Sequence, residues 1–163
     1  MFSRRIMLVL SGVCAVAALS LVTAPLAQAS SKDEENLYSM EACEYPGYSK
    51  FKLHLYYNSA GAGSYRNIGY SVYDFNAVRP GGSDPGAHPL RFCPMGASNP
   101  WPGSGQKIKN NAASGENDHS RYKARIYDRS GYKGNQDVMA PYQHIDQFRH
   151  NYNDNASFKW TSR

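Results

Sequence analysis

The segment Phe51-Lys-Leu-His-Leu-Tyr-Tyr-Asn-Ser-Ala-Gly-Ala-Gly63 aligns without gaps on Tyr122-Lys-Ala-Arg-Ile-Tyr-Asp-Arg-Ser-Gly-Tyr-Lys-Gly134, so the chain contains two related halves. In each, alternate positions are apolar (Phe51, Leu53, Leu55; Tyr122, Ala124, Ile126), while Lys52 and His54, or Lys123 and Arg125, fall between them. That period of two predicts a strand with one face to the core. The halves also close alike, on Asn110-Asn-Ala-Ala-Ser114 and on Asn153-Asp-Asn-Ala-Ser157. The distance from strand to closing motif is longer in the first half by about 28 residues. The excess is placed between Val78 and Gly105, where Pro80-Gly-Gly, Asp84-Pro-Gly, Pro94 and Asn99-Pro-Trp-Pro-Gly interrupt any regular element. A long insertion in a compact domain has a function or is disordered.

Beyond the repeat, short alternating runs broken by Gly, Asn, Ser and Pro, with thirteen tyrosines, read as an all-β domain. The start carries Arg4 and Arg5, an apolar run from Ile6 to Val22, and Ala27-Gln28-Ala29, the pattern of a signal peptide over 1–29 cut before Ser30. A membrane anchor fits less well, since Ser11, Gly12 and Ser20 dilute the run and Pro25 ends it. The expected product is secreted and extracellular, with no membrane association after cleavage. Residues 30–42 are polar and acid-rich, with no apolar face, and are expected to form a mobile arm. Residues 43–163 then make one domain, with halves of about 43–116 and 121–163. Cys14 leaves with the leader, and an oxidising compartment favours a Cys43–Cys93 bridge over two free thiols. Such a bridge would tie down the insertion.

Tyr127-Asp-Arg-Ser-Gly-Tyr132-Lys-Gly134 resembles the Greek-key signature of βγ-crystallins, in which two aromatics five residues apart precede a glycine. The first half keeps Tyr56 and Gly63 but has Gly61 at the second aromatic position. With the leader and the closing motifs, residues 43–160 resemble the secreted bacterial peptidase-inhibitor family typified by a small metalloproteinase inhibitor. The most specific pieces are Lys109–Ser114, Ala124–Gly134 and Asn153–Ser157. This resemblance implies a sandwich of two Greek-key motifs, with an enlarged loop in the first. It implies a monomeric protein that binds an extracellular protease and is not an enzyme.

Two kinds of site follow. By resemblance to calcium-binding βγ-crystallins, Asn110, Asn111, the Ala112 carbonyl and Ser114 would form one calcium site; Asn153, Asp154, the Asn155 carbonyl and Ser157 would form another. Only Asp154 among these is charged, so affinity would be weak, about 10⁻⁴ to 10⁻³ M. Equally, both motifs serve as turns whose Asn and Ser side chains bond nearby backbone. For inhibition, the loop around Phe92, Cys93, Pro94 and Met95 is the candidate, with Phe92 and Met95 filling apolar subsites of a metalloproteinase. The alternative has Phe92 in the core beside the disulfide. A calcium-bound structural or ligand-binding module without inhibitory activity is the competing function; a secreted toxin has no supporting residues.

Other chemistry finds little support. The five histidines, His54, His88, His119, His144 and His150, form no His-Glu-x-x-His pattern, and no cysteine pair has metal-ligand spacing. Gly103-Ser-Gly-Gln-Lys107 lacks the order of a phosphate loop, and there is no Gly-x-Ser-x-Gly elbow. Losing Arg4 and Arg5 with the leader lowers the formal charge from +5 to about +3, too mild and scattered for nucleic acid.

Overall fold

The computed structural model describes residues 31–82 and 84–162; residues 1–29, expected to be a signal peptide, lie outside them. Seven strands follow a helix α1 (Ser31–Tyr38) and a 3₁₀ turn (Met40–Ala42): β1 (Leu53–Tyr56), β2 (Tyr65–Ile68), β3 (Ser114–Asn117), β4 (Lys123–Arg129), β5 (Lys133–Met139), β6 (Gln143–Ile145) and β7 (Ser157–Thr161). They form two antiparallel sheets, β2-β1-β3-β6 and β5-β4-β7. Each half contributes three neighbouring strands to its own sheet and sends a fourth segment to the other. β6 pairs with β3 through Gly115 and Ile145, and Val72 makes the matching bridge to Phe158 of β7. The fold is thus all-β, two Greek keys that exchange one segment each.

The repeat is reproduced bond for bond. Ala113 N–H donates to the Tyr56 carbonyl (3.0 Å), and Ala156 N–H donates to that of Tyr127 (2.8 Å). Where the closing motifs meet, Asn110 N–H donates to the Asn155 carbonyl (2.9 Å) and Asn153 N–H to that of Ala112 (3.1 Å). Both hairpins share three left-handed residues: Ala60, Gly61 and Gly63 in the first, Gly131, Tyr132 and Gly134 in the second. The first hairpin therefore keeps the signature's backbone without its second aromatic.

Between the inner faces lies one apolar core, including Leu53, Leu55, Ile68, Phe75, Ala124, Ile126, Phe148 and Phe158, all 1% exposed or less. In β4 the alternation holds, with Ala124 and Ile126 buried and Lys123 and Arg125 half-buried. Tyr122 departs from it: it sits outside the strand, 39% exposed, against the His119 ring. In β1 all four residues are buried, His54 included, because the residues leading to the sheet cover its outer face. His54 Nδ1 lies 2.7 Å from Asn67 Oδ1, and Asn67 Nδ2 donates to the carbonyls of Glu41 and Glu44 (2.8 Å each). With the amide nitrogen so engaged, Asn67 presents its oxygen to the ring, and Nδ1 carries the proton.

That covering corrects the expectation of a mobile arm over 30–42. Asn36 is fully buried; its side chain donates to the Tyr70 carbonyl (3.0 Å) and accepts from the amides of Gly69 and Tyr70. Arg66 reaches across, and its guanidinium donates through Nη1 and Nη2 to the carbonyls of Arg91, Asn36 and Leu37. Two of these are unpaired carbonyls at the end of α1, where a cation is favoured. Burial pushes the Arg66 pKa down to about 10. Polar anchors hold the helix, with Leu37 its one apolar side chain packed against the core.

The insertion is ordered too. Bridges join Val78 to His88 and Arg91 to Lys107, and Cys93 N–H donates to the Tyr65 carbonyl (2.9 Å), so the segment runs along the free edge of β2. Leu90, Phe92 and Ile108 enter the core. The Cys43–Cys93 bridge is present, with Cα atoms 5.6 Å apart, and fastens the insertion to the N-terminal segment. Among the described residues no helix is long and apolar enough to cross a membrane.

Candidate functional site

The closing motifs behave as turns. Ser114 Oγ donates to the Asn58 carbonyl (2.6 Å) and accepts from Gly61 N–H (3.1 Å). Ser157 Oγ does the same with the Arg129 carbonyl (2.7 Å) and Tyr132 N–H (3.1 Å). Each serine pins the hairpin of its own half. Asn155 is buried between the motifs, its amide nitrogen donating to the carbonyls of Ala112 (2.6 Å) and Asn151 (3.1 Å). Asn111 Nδ2 donates to the carbonyls of Lys107 and Lys109, while Asn110, Asn153 and Asp154 are exposed. The Ser114 and Ser157 hydroxyls and the Ala112 and Asn155 carbonyls, which the resemblance assigns to calcium, each have a protein hydrogen-bond partner in this structure. Among the described residues no three His, Cys, Asp or Glu side chains converge on a metal-sized site.

The loop expected to enter a protease divides at Cys93. Phe92 is 1% exposed and packs edge-on against Tyr57 with ring centroids 5.7 Å apart; Cys93 is fully buried. Neither can fill a partner's subsite, because Cys93 pairs with the β2 edge and turns Phe92 inward. Met95 is half-buried, and the chain from Gly96 to Trp101 is exposed. This tip is nevertheless fixed. Trp101 N–H donates to the Met95 carbonyl (3.1 Å), Asn99 N–H to that of Gly96, and Met95 N–H to Ser104 Oγ (2.9 Å). Gly96 has φ 86°, and a Cβ there would lie 2.3 Å from the Asn99 carbonyl oxygen. Only glycine fits so tight a turn.

Beside the tip opens a cleft of about 350 Å³ walled by Tyr45, Tyr56, Tyr65 and Trp101, with Glu116 and Asp118 at its acidic side. Strand register places the parts: Tyr56 of β1 lies opposite Tyr65 of β2, and Glu116 projects from β3. Tyr56 Oη donates to Glu116 (3.1 Å), and burial together with that carboxylate pushes the phenol pKa well up. Asp118 Oδ2 lies 3.4 Å from Nε2 of buried His54. The cleft was not anticipated from the sequence. Its one signal there is Gly61 in the place of an aromatic.

No protein-family model and no curated protein matches the chain. Three solved structures are similar to it in fold. A domain from work on the evolution of the eye-lens βγ-crystallin fold aligns at TM-score 0.47 and 16% identity over 70% of this chain and 88% of that one. The N-terminal domain of Protein S aligns at 0.43 and 14%, over 68% and 96%. A βγ-crystallin from Ciona intestinalis aligns at 0.41 and 14%, over 68% and 99%.

Proposed function

We propose that this is a secreted binding protein of the peptidase-inhibitor type, which engages an extracellular metalloproteinase through the tip 94–101. The observation that carries this reading is an exposed loop held rigid from both sides. The Cys93 bridge fixes its start, and the Met95 to Trp101 and Ser104 bonds fix its return. A loop ordered before contact loses little conformational freedom on binding, which is how rigid inhibitor loops reach high affinity. Pro94 directly after the bridged cysteine makes that bond a poor substrate, so the tip is expected to occupy a cleft without being cut there.

Titration of the secreted protein against a thermolysin-like protease and a serine protease tests the reading. Inhibition confined to the metalloproteinase is expected, and it should weaken at least about tenfold in Gly96→Ala, which displaces the tip while leaving the core intact. Full activity of both proteases at micromolar protein would refute it.

A further inference from the structure

The two halves offer an internal comparison at equivalent corners. In the second, Tyr132 occupies a left-handed position (φ 61°) after β4, its ring 6.1 Å from Tyr127 and 5.6 Å from Tyr73. Lys159 Nζ lies over the Tyr132 ring, 5.3 Å from its centroid. In the first, Tyr56 stands for Tyr127, but Gly61 (φ 67°) replaces Tyr132 and Glu116 of β3 replaces Lys159 of β7. At this corner the His144 ring lies beside Tyr56, centroids 6.5 Å apart, Tyr56 is buried at the cleft wall, and the charge at its edge is reversed.

We propose that this cleft receives a basic side chain, an arginine guanidinium, from a protein partner. The proposal rests on the reading above, since Met95 and Trp101 of the tip help to line the cleft and a partner seated on the tip would reach it. The chemistry is complementary in two ways. A guanidinium is planar and stacks on aromatic faces such as those of Tyr45 and Trp101, both exposed at the cleft, and its forked donors match a carboxylate. Glu116 and Asp118 supply the carboxylates, and no lysine or arginine lines the cleft to neutralise them. The neighbouring His144 has its Nε2 3.0 Å from Asp146 Oδ1. An aliphatic side chain or a neutral sugar would gain nothing from the charge of the two carboxylates.

The test is a titration of the full chain with N-acetyl-L-arginine methylamide, followed through the amide shifts of Gly61, Gly63 and Glu116 and the Trp101 indole. Saturable shifts in the millimolar range are expected, absent with the neutral citrulline analogue and weakened roughly tenfold in Glu116→Gln. Gly61→Tyr should refill the corner as Tyr132 does, in the same left-handed conformation and with the His144 ring displaced, and abolish the shifts. Should that variant misfold, Glu116→Gln alone decides. No saturable shift, equal shifts with citrulline, or shifts with a chitin oligosaccharide but not with arginine would overturn the proposal. Arginine binding without inhibition of any protease would remove the proposed function and leave this site; inhibition without arginine binding would do the reverse.

Discussion

Ser114 and Ser157 show how one hydroxyl can fix a hairpin, since each donates to one hairpin carbonyl and accepts from one hairpin amide. Asn155 does more, because it lies where the two motifs meet and bonds Ala112 and Asn151 with no access to water. Removing its side chain takes one of two donors from each of the Ala112 and Asn151 carbonyls and the side-chain acceptor from Ala112 N–H, at a cost of about 1–3 kcal/mol. Asn155→Ala should therefore lower the denaturant midpoint clearly, with the same loss in calcium and in chelator. Millimolar calcium should leave the melting temperature of the native chain unmoved; a rise with calcium would restore the cation-site reading. Both motifs were legible as motifs, because their residues recur in order. Whether their oxygens face a cation or the neighbouring backbone is set by the other half of the molecule.

At the scale of elements, α1 was the piece least visible in the sequence. Its anchors are single polar contacts to Gly69, Tyr70 and Arg66, more than thirty residues away for the first two, and such contacts have no periodicity to betray them. A second tether joins the helix end to the insertion, where Tyr38 Oη donates to Asp84 and His88 lies 2.8 Å from the same carboxylate. The Tyr38 hydrogen bond, then His88, holds the Asp84 pKa below the usual carboxylate value. A depressed folded pKa means that the contribution is present above the unfolded value of 3.8 and disappears as pH falls through the lower folded value. Amide protection of α1 should thus fall in acid before that of β4, and Asp84→Asn should flatten this dependence. Equal acid loss in the variant would count against the tether.

For the whole molecule, the disulfide joins the N-terminal segment to the insertion across the outer side of the first sheet, two parts that share few other covalent constraints. Replacing Cys43 and Cys93 together by serine should cost about 4 kcal/mol, read as a lower denaturant midpoint, and should speed proteolytic cutting at the 94–101 tip. Cutting at an unchanged rate would mean that hydrogen bonds alone fix the tip. By itself the sequence determined the all-β class, the two halves, the site of the insertion and the pairing of the cysteines, since strand periodicity and repetition are written in local order. Only the tertiary structure decided that α1 docks, that Phe92 turns inward while Gly96–Trp101 faces out, and that Gly61 opens a cleft. Each of those depends on which distant surface lies opposite: the outer face of the first sheet, the free edge of β2, and the carboxylates of Glu116 and Asp118 set beside Tyr56 and Trp101.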